Sequence, residues 1–394
     1  MSTAIPVPTE ESSFGKYRMV QQLASGGMAR IFLASIDGPD GFSKPCVIKR
    51  VLPEYANLEA FSRMFADEAK VAALLTHPNI VQVFDFGRID GQYYLAMEWI
   101  QGQSLDRVLR HAWKGAFPLG PRVAVEVGLA VSAALDYAHS KTLQDGTPLK
   151  LVHRDITPGN VLVSREGNIK LADFGIVKTA VNLERTVAGV VKGKYPYMSP
   201  EQITNRDLDH RSDLYSLGIV LYEASTGRRL FKRETMEATI LAASQAQVAP
   251  PSEVAPGFPP GLERIILRLL AKNPDARYQS ARELHDDLER FRASQNWTSG
   301  GRELALLVQA LDKAGQQPPT AIPASVTGSS TNRTPGGGAH GAAAARPTLP
   351  TLPATQLEAI ADEAPARDEG FPWAIALTAG VAALSSALFW YFAA

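Results

Sequence analysis

The sequence predicts an α+β fold of two lobes, a small lobe made mainly of strands followed by a larger, mainly helical lobe. Before Ser104, short aliphatic and aromatic runs alternate with Gly, Asp and Pro turns, a pattern typical of strands. After Ser104, apolar residues recur at helical spacing over longer stretches. A sheet-rich lobe followed by a helical lobe leaves a cleft between them, and ligands commonly bind in such clefts.

The elements are predicted in order along the chain. Strands are expected at residues 16–23, 29–35, 45–51, 81–88 and 93–99. One helix at residues 58–75 interrupts them, because its apolar residues fall on one stripe. The helical lobe is expected to contain helices at residues 122–140, 212–226, 261–271 and 281–293. A further helical stretch is expected at residues 303–311.

Composition excludes several classes of protein. The chain has 394 residues with 40 basic and 40 acidic side chains, so no net charge favours nucleic acid as a partner. A hydrophobic fraction of 45% is enough for a sizeable core. The single cysteine, Cys46, excludes an internal disulfide framework and fits a reducing compartment. Since it stands between Pro45 and Val47, we expect a buried strand residue. No secretory signal is recognisable at the start of the chain.

The chain is predicted to divide into five regions. Residues 1–16 form a flexible arm, 17–292 the main folded domain, 293–316 a short helical extension, 317–370 a linker and 371–394 a C-terminal helix. The linker is rich in Pro, Ala, Gly and Thr, and such a composition does not repay the entropy of ordering.

The C-terminal helix has the character of a membrane span. Residues 373–392 carry no charge and would extend about 30 Å as a helix, the thickness of the hydrocarbon layer. Trp373, Trp390 and Tyr391 resemble anchors at the membrane interface. The alternative is a helix buried in a protein core. The sequence favours contact with a lipid bilayer through 373–392.

Three polar side chains between residues 155 and 173 can carry chemistry. Asp155 and Asn160 lie in one segment flanked by aliphatic residues, and Asp173 follows in Ala-Asp-Phe-Gly. Asp155 is suited to accept the proton of a substrate hydroxyl. Asn160 and Asp173 are hard oxygen ligands of the kind that Mg²⁺ prefers. Each residue taken alone is equally compatible with a turn.

A lysine and a glutamate in the small lobe are expected to form a pair. Lys49 ends an aliphatic strand, and Glu68 lies on the apolar stripe of the helix that follows. A buried carboxylate without a partner is costly, so Lys49 is the candidate partner and would be held ready to contact nucleotide phosphates. The alternative is that Glu68 stands at the edge of the stripe and reaches water.

A glycine turn precedes this pair. In Ser25-Gly26-Gly27 the backbone can approach phosphates closely. An ordinary hairpin turn remains an alternative, because Ala24 and Ala29 replace two glycines of the G-x-G-x-x-G pattern.

Taken in order, Lys49, Glu68, Asp155, Asn160 and Asp173 resemble the motifs of eukaryotic-like (Hanks-type) Ser/Thr protein kinases, particularly bacterial ones. The resemblance covers about residues 17–292. It implies a bilobal protein kinase fold, ATP and Mg²⁺ (or Mn²⁺) as cofactors, and transfer of the γ-phosphoryl group to hydroxyls of protein substrates.

The resemblance also implies roles for further residues. Nucleotide contacts are expected from Leu23, Ser25, Gly26, Gly27, Ile31, Lys49, Met97, Glu98, Ile100 and Leu162. Met97 is similar to the gatekeeper, and the backbone of Glu98 and Ile100 would bind adenine. Asp213 resembles the aspartate that anchors the catalytic loop. Glu201 and Arg277 would form a buried ion pair.

Two positions depart from the family pattern. The family has lysine two residues after the catalytic aspartate, where this chain has Thr157. Ser/Thr kinases usually have threonine directly after the glycine that is Gly193, where this chain has Lys194. We interpret this as an exchange of lysine and hydroxyl that keeps one cation near Asp155, since phosphoryl transfer needs a positive charge in place.

The resemblance suggests how the protein is regulated and where it acts. Arg154 marks kinases that are activated by phosphorylation of the activation loop, for which Thr186 is the first candidate and Thr179 the second. Use of ATP places the kinase domain in the cytoplasm, on a single-pass helix in the cell membrane. A small-residue ridge formed by Ala379, Ala383 and Ala387 is compatible with a homodimer that favours trans-autophosphorylation.

Two alternatives remain at this point. One is a nucleotide-binding pseudokinase scaffold that assembles partners at the membrane. The other is a tyrosine kinase, which is less favoured because the catalytic loop lacks the arginine-containing variant of those enzymes.

Overall fold

The computed structural model describes residues 5–6, 13–26, 29–56, 58–115, 119–174, 194–206 and 208–316. At some positions in helices, Glu68 among them, it describes the backbone but not the side chain. The described residues form the two lobes that the sequence predicts.

The small lobe is built on an antiparallel sheet. Its strands are β1 (Ile5–Pro6), β2 (Ser13–Phe14), β3 (Tyr17–Ser25), β4 (Ala29–Asp37), β5 (Ser43–Val51), β6 (Val83–Ile89) and β7 (Gln92–Glu98). They pair in the order β1-β3-β4-β5-β7-β6, and β2 adds to β3. One face buries the aromatic side chains of Tyr17, Phe32 and Tyr94. Cys46 is fully buried in β5, as expected from its neighbours.

Two helices follow β5, α1 (Pro53–Ala56) and α2 (Glu59–Ala73). Helix α2 packs on β6 and β7 because its apolar stripe meets the second face of the sheet. Phe65 contacts Phe86, with ring centroids 6.0 Å apart, and Ala69 and Leu95 are buried beside them. Helix α2 therefore lies directly behind the strand that carries Lys49.

The large lobe is helical. Its helices are α3 (Leu105–Lys114), α4 (Pro121–His139), α5 (Pro200–Ile203), α6 (Arg211–Thr226), α7 (Met236–Gln245), α8 (Pro251–Val254), α9 (Pro260–Leu269), α10 (Ala281–Ser294) and α11 (Gly301–Gln316). Every residue of α6 from Ser212 to Thr226 is buried. A helix that is buried on all sides lies at the centre of its lobe, and α4, α8 and α9 pack against it.

A second, three-stranded sheet lies where the lobes meet. Strands β8 (Gly102–Ser104), β9 (Val161–Ser164) and β10 (Ile169–Leu171) pair in the order β10-β9-β8. A parallel bridge between Ile80 and Leu171 connects this region to the small lobe. Since the segment from Asp155 to Asn160 runs directly into β9, this sheet sets the position of both residues.

The observed elements differ from the predicted ones in a few places. Helices α3 and α7 and the three strands of the second sheet were not predicted; each of these strands is only three or four residues long, too short to show a periodic pattern. Helix α11 begins before and ends after the expected 303–311, and its buried residues Leu304, Val308 and Leu311 lie within the expected part. Among the helices of the described residues, none is both long and apolar enough to cross a membrane. The predicted span, 373–392, lies outside the described residues.

Candidate active site

The segment before β9 holds Asp155 and Asn160 against each other. Asn160 Nδ2 donates to the Asp155 carbonyl oxygen at 2.8 Å and to Asp155 Oδ2 at 2.9 Å. The Asp155 side chain is buried, with 6% of its surface exposed. The amide of Asn160 therefore orients the carboxylate of Asp155 toward a fixed direction.

Asp213, at the start of α6, holds the backbone of the same segment. Its carboxylate accepts from the backbone N–H of His153 and of Arg154, both at 2.8 Å. Arg154 has a φ of 62°, a left-handed conformation that is costly for an arginine and persists only where surrounding contacts enforce it. Burial would raise the pKa of Asp213, but hydrogen bonding and charge from His139 outweigh it, so the pKa is lowered. Asp213 is thus an ionised anchor for the strained backbone.

Asp173 follows β10 and contacts Lys49 across the cleft. Lys49 Nζ lies 2.8 Å from Asp173 Oδ1. The charge of Lys49 holds the pKa of Asp173 below its usual value. The sequence predicts Glu68 as the partner of Lys49, and the Glu68 side chain lies outside the described part of the structure.

A backbone contact brings Asp173 beside Asn160. The N–H of Ala172 donates to the Asn160 carbonyl oxygen at 2.8 Å. His153 Nε2 donates to the Ala172 carbonyl oxygen at 3.1 Å, and its ring lies 4.5 Å from that of Phe174. The segment that holds Asn160 and the segment that holds Asp173 are therefore joined at their backbones.

The donor set at this point fits Mg²⁺. Asp173 offers an ionised carboxylate and Asn160 an amide oxygen, and Mg²⁺ usually takes one or two protein oxygens together with substrate phosphates. Lys49, paired with Asp173, adds a positive charge next to the place where those phosphates would lie.

Lys194 contacts the catalytic loop from a segment that follows it later in the chain. Its Nζ lies 2.6 Å from Asp155 Oδ2. Lys194 precedes a single 3₁₀ turn, Tyr195–Tyr197, which leads into α5. The exchange interpretation places a cation beside Asp155, and this contact meets that requirement. Thr157 contributes its carbonyl oxygen, which accepts from the Asn160 N–H at 3.0 Å.

The predicted nucleotide contacts lie along the cleft side of the small lobe and on β9. Ile31 on β4 stands between Ala24 on β3 and Lys49 on β5 in the sheet register. Leu23 and Ser25 end β3, Gly26 follows, and Gly27 lies outside the described residues. Leu162 on β9 pairs with Ser104 on β8.

The hinge region is tied down by side-chain contacts. Met97 and Glu98 end β7, and Ile100 follows. Glu98 Oε1 accepts from the Gln82 N–H at 2.8 Å and lies 2.7 Å from Lys170 Nζ. Lys170 was not singled out from the sequence, because a lone lysine on a short strand carries no signal of its own.

Glu201 and Arg277 form a bidentate ion pair in the large lobe. The two N···O distances are 2.6 and 2.9 Å, and Arg277 is 1% exposed. Burial alone would raise the pKa of Glu201, but Arg277 outweighs it and lowers the pKa. This pair joins α5, at the end of the segment that carries Lys194, to the loop before α10.

A second buried network was missed by sequence reasoning. Glu223 on α6 is fully buried and accepts from Tyr197 Oη at 2.8 Å. Arg229 lies 3.3 Å from the same carboxylate and its guanidinium stacks on Trp113, 4.0 Å from the ring centroid. His139, whose Nε2 lies 2.9 Å from Asp213 Oδ2, was also missed. The sequence signal that could have indicated this network is Glu223, a charged residue within an apolar stretch of α6.

Comparison with known proteins agrees with this geometry. The protein kinase domain family model matches residues 17–288. The chain is 42% identical over 296 residues to the tyrosine-protein kinase MasK of Myxococcus xanthus, which covers 75% of this chain and 46% of MasK. It is 35% identical over 275 residues to the serine/threonine-protein kinase PrkC of Bacillus subtilis, covering 70% of this chain and 40% of PrkC.

Two further relatives come from Mycobacterium tuberculosis. The chain is 33% identical over 329 residues to the serine/threonine-protein kinase PknD, covering 82% of this chain and 47% of PknD. It therefore spans less than half the length of each of these three relatives. The crystal structure of the PknI kinase domain matches with a TM-score of 0.52 at 29% identity, covering 72% of this chain and 99% of that chain. The chain belongs to the protein kinase domain family and has its bilobal fold.

Proposed function

We propose that this protein is an ATP-dependent protein kinase whose catalytic cation comes from the activation segment. The observation that carries the proposal is the convergence on Asp155 of Asn160, at 2.9 Å, and Lys194, at 2.6 Å. Lys49 and Asp173 pair at 2.8 Å in the same cleft. A general base, a cation and a metal-binding pair are the parts that phosphoryl transfer requires.

Each residue has a separate role in this proposal. Asp155 orients the substrate hydroxyl and accepts its proton as the new P–O bond forms. Lys194 stabilises the negative charge on the transferring group, and Lys49 holds the phosphates of ATP. Asn160 and Asp173 would hold Mg²⁺, which would supply positive charge to the phosphates of ATP. Glu68 is proposed to position Lys49.

Incubation with radiolabelled ATP tests the proposal. We expect the wild-type protein to incorporate phosphate and Asp155→Asn to lose almost all incorporation, because an amide does not accept the proton. Both proteins should bind ATP. Equal labelling of wild type and Asp155→Asn, or none in either, would contradict the proposal. The latter result together with ATP binding would favour the pseudokinase scaffold, which no present observation supports.

We propose serine and threonine as the accepting residues. The names of PrkC and PknD support this choice, as does the absence of the arginine-containing catalytic loop. Tyrosine is the second candidate, because MasK, at 42% identity, is named a tyrosine-protein kinase. Phosphoamino-acid analysis of the labelled protein separates the two: phosphotyrosine alone would contradict our choice.

Activation by phosphorylation is a further part of the proposal. Arg154 precedes Asp155, and Gln202 Nε2 donates to its carbonyl oxygen at 3.1 Å, so the backbone of Arg154 contacts the end of the activation segment. The candidate sites Thr186 and Thr179 lie outside the described residues. A phosphate there would offer charge-assisted hydrogen bonds to an arginine. Mass spectrometry after incubation with ATP should find Thr186 modified; neither site modified would contradict this.

The location is likewise proposed. The uncharged segment 373–392 is long enough to cross a bilayer and would tether the kinase domain to the cytoplasmic side of the cell membrane. The spacing of Ala379, Ala383 and Ala387 supports pairing of two such helices. Pairing would raise the local concentration of kinase domains and favour trans-autophosphorylation.

A further inference from the structure

We propose that Asp312, on helix α11, is a positioning residue for nucleotide binding. It lies beyond the residues matched by the family model and acts through Gln103 and Arg165 on the segment that follows the hinge. This inference rests on the proposed ATP site.

Asp312 holds two adjacent strands of the second sheet. Its Oδ1 accepts from Gln103 Nε2 at 2.6 Å, and its Oδ2 accepts from Arg165 Nε at 2.6 Å. Gln103 is the middle residue of β8, and Arg165 directly follows β9. The side chain of Asp312 is 15% exposed and that of Arg165 is 40% exposed, so the carboxylate is largely buried while the Arg165 side of the contact reaches water. Charge-assisted hydrogen bonds of this kind are among the stronger ones.

Both partners of Asp312 are linked to the hinge. The N–H of Arg165 donates to the Gln101 carbonyl oxygen at 2.9 Å, directly after the predicted adenine contact at Ile100. Gln103 Oε1 also accepts from Arg107 on α3 at 2.9 Å. One oxygen of the Asp312 carboxylate holds Gln103 directly, and the other holds Arg165, whose N–H binds Gln101. The carboxylate therefore fixes the chain on either side of Gly102.

Gly102 shows how tightly this segment is packed. A Cβ at this position would lie 1.9 Å from the Val163 carbonyl oxygen, so β8 is pressed directly onto β9. Strand β9 carries Leu162, the residue predicted to contact the nucleotide, paired with Ser104. A shift of β8 therefore changes the surface on which adenine would lie.

The beginning of α11 is fixed by separate contacts, which give Asp312 a rigid base. Arg122 on α4 donates to Thr298 Oγ1 at 2.6 Å. Its other contact, with Glu303 at 3.0 Å, is a solvent-exposed ion pair and contributes little to the docking of α11. Gly301 approaches the turn after β9 so closely that a Cβ at Gly167 would lie 2.0 Å from its carbonyl oxygen. Part of α11 borders a cavity of about 1060 Å³ against α4. Because few side chains fill the space on that side, the position of the helix there depends more on individual hydrogen bonds than on packing.

Loss of the Asp312 carboxylate would leave Gln103 and Arg165 without this common acceptor. The hinge segment would then sample other positions, and nucleotide would bind less tightly. The Asp312 carboxylate binds Gln103 and Arg165, neither of which has a role in the proposed chemical step, so that step should be preserved. The predicted signature is a rise in KM for ATP with little change in kcat.

Three variants of the full-length protein test this: Asp312→Ala, Asp312→Asn and, as a matched control on the same helix, Glu303→Gln. Steady-state kinetics with varied ATP gives KM and kcat, and calorimetry with ADP gives Kd without chemistry. We expect Asp312→Ala to raise KM and Kd roughly three- to tenfold with kcat within about twofold. Asp312→Asn should be intermediate, because the amide oxygen keeps one acceptor. Glu303→Gln should match the wild type.

Unchanged KM and Kd in both Asp312 variants would overturn the inference. An equal rise in Glu303→Gln would also overturn it, since helix docking in general would then be responsible. If Asp312→Ala does not fold, Asp312→Asn, which preserves side-chain size, decides the question alone. A wild type that binds ADP but transfers no phosphate would contradict the proposed function instead, and the Kd values would still decide the role of Asp312.

Discussion

At the scale of single residues, the most consequential position is Lys194. The sequence lacks a lysine two residues after Asp155, which taken alone argues against phosphotransfer. The contact of 2.6 Å between Lys194 and Asp155 supplies a cation at the same carboxylate from a different segment. Because electrostatic stabilisation depends on where the charge lies and not on which segment carries it, an exchange with Thr157 is chemically sufficient.

Substitution of Lys194 tests this exchange. We expect Lys194→Ala to lower kcat by about 10²- to 10³-fold, the usual effect of removing one group that stabilises transition-state charge. Steady-state phosphorylation assays measure the change. Lys232→Ala, which removes an exposed lysine from the same lobe, is the control and should leave kcat unchanged.

A double variant makes the test sharper. Thr157→Lys together with Lys194→Thr returns the usual family arrangement and should restore part of the activity lost in Lys194→Ala. Such non-additivity is expected of two positions that act as a unit. Near-normal activity of Lys194→Ala would rule out the exchange.

At the scale of secondary-structure elements, α6 organises the large lobe. It carries Asp213, which anchors the catalytic loop, and Glu223, which binds the residue at the end of the activation segment, Tyr197. Three turns of one buried helix thus connect the loop of Asp155, the proposed general base, and the segment that carries Lys194. The Glu201–Arg277 pair adds a second tie at α5.

Glu223 predicts a pH dependence of stability. Burial raises its pKa to about 7, limited by the charge of Arg229. In the folded state Glu223 therefore keeps its proton up to about pH 7, whereas in the unfolded chain its pKa is the ordinary 4.5. Its contribution to the free energy of unfolding is full below pH 4.5 and is lost as the pH rises through about 7.

Chemical denaturation of wild type and Glu223→Gln measures this. The difference in free energy of unfolding between them should shift against the wild type by up to about 1.4 kcal/mol per pH unit between the two pKa values. Most of the other buried carboxylates with shifted pKa values, Asp213 and Glu201 for example, have lowered pKa values and act at more acidic pH. If the difference in free energy of unfolding between the two proteins stays constant from about pH 5 to about pH 7, the assignment of the raised pKa to Glu223 is contradicted.

At the scale of the whole molecule, the proposed tether predicts where the protein is found. A chain that ends at residue 370 lacks the uncharged segment 373–392. We expect it to move from the membrane fraction to the soluble fraction and to keep its phosphotransfer activity in solution. Immunoblotting of fractionated cells measures the distribution.

The control for the tether separates location from catalysis. Full-length Asp155→Asn should remain in the membrane fraction, because its hydrophobic segment is intact. A shortened chain that stays with the membrane would show that another part of the molecule, or a partner, holds it there.

Much of the fold and of the site was accessible from the sequence because the signals are local. The order of Lys49, Asp155, Asn160 and Asp173 predicted the family, and hydrophobic periodicity predicted most long helices within a few residues. Strand β8 was missed because three residues are too few to show a strand pattern. Helix α3 was missed although its buried residues Leu105, Val108, Leu109 and Ala112 recur at helical spacing, a local signal that was overlooked.

The sequence by itself determined the protein kinase fold, the chemical types available for catalysis and the missing lysine at Thr157. The proximity of Lys194 to Asp155 was expected from the resemblance, and the structure gives the contact its distance. Only the tertiary structure decided that Lys49 contacts Asp173 and that Asp312 contacts Gln103 and Arg165. These partners are separated by 39 to 209 positions in the chain. Contacts over such separations depend on how helices and sheets pack, and no local pattern of residues specifies that packing.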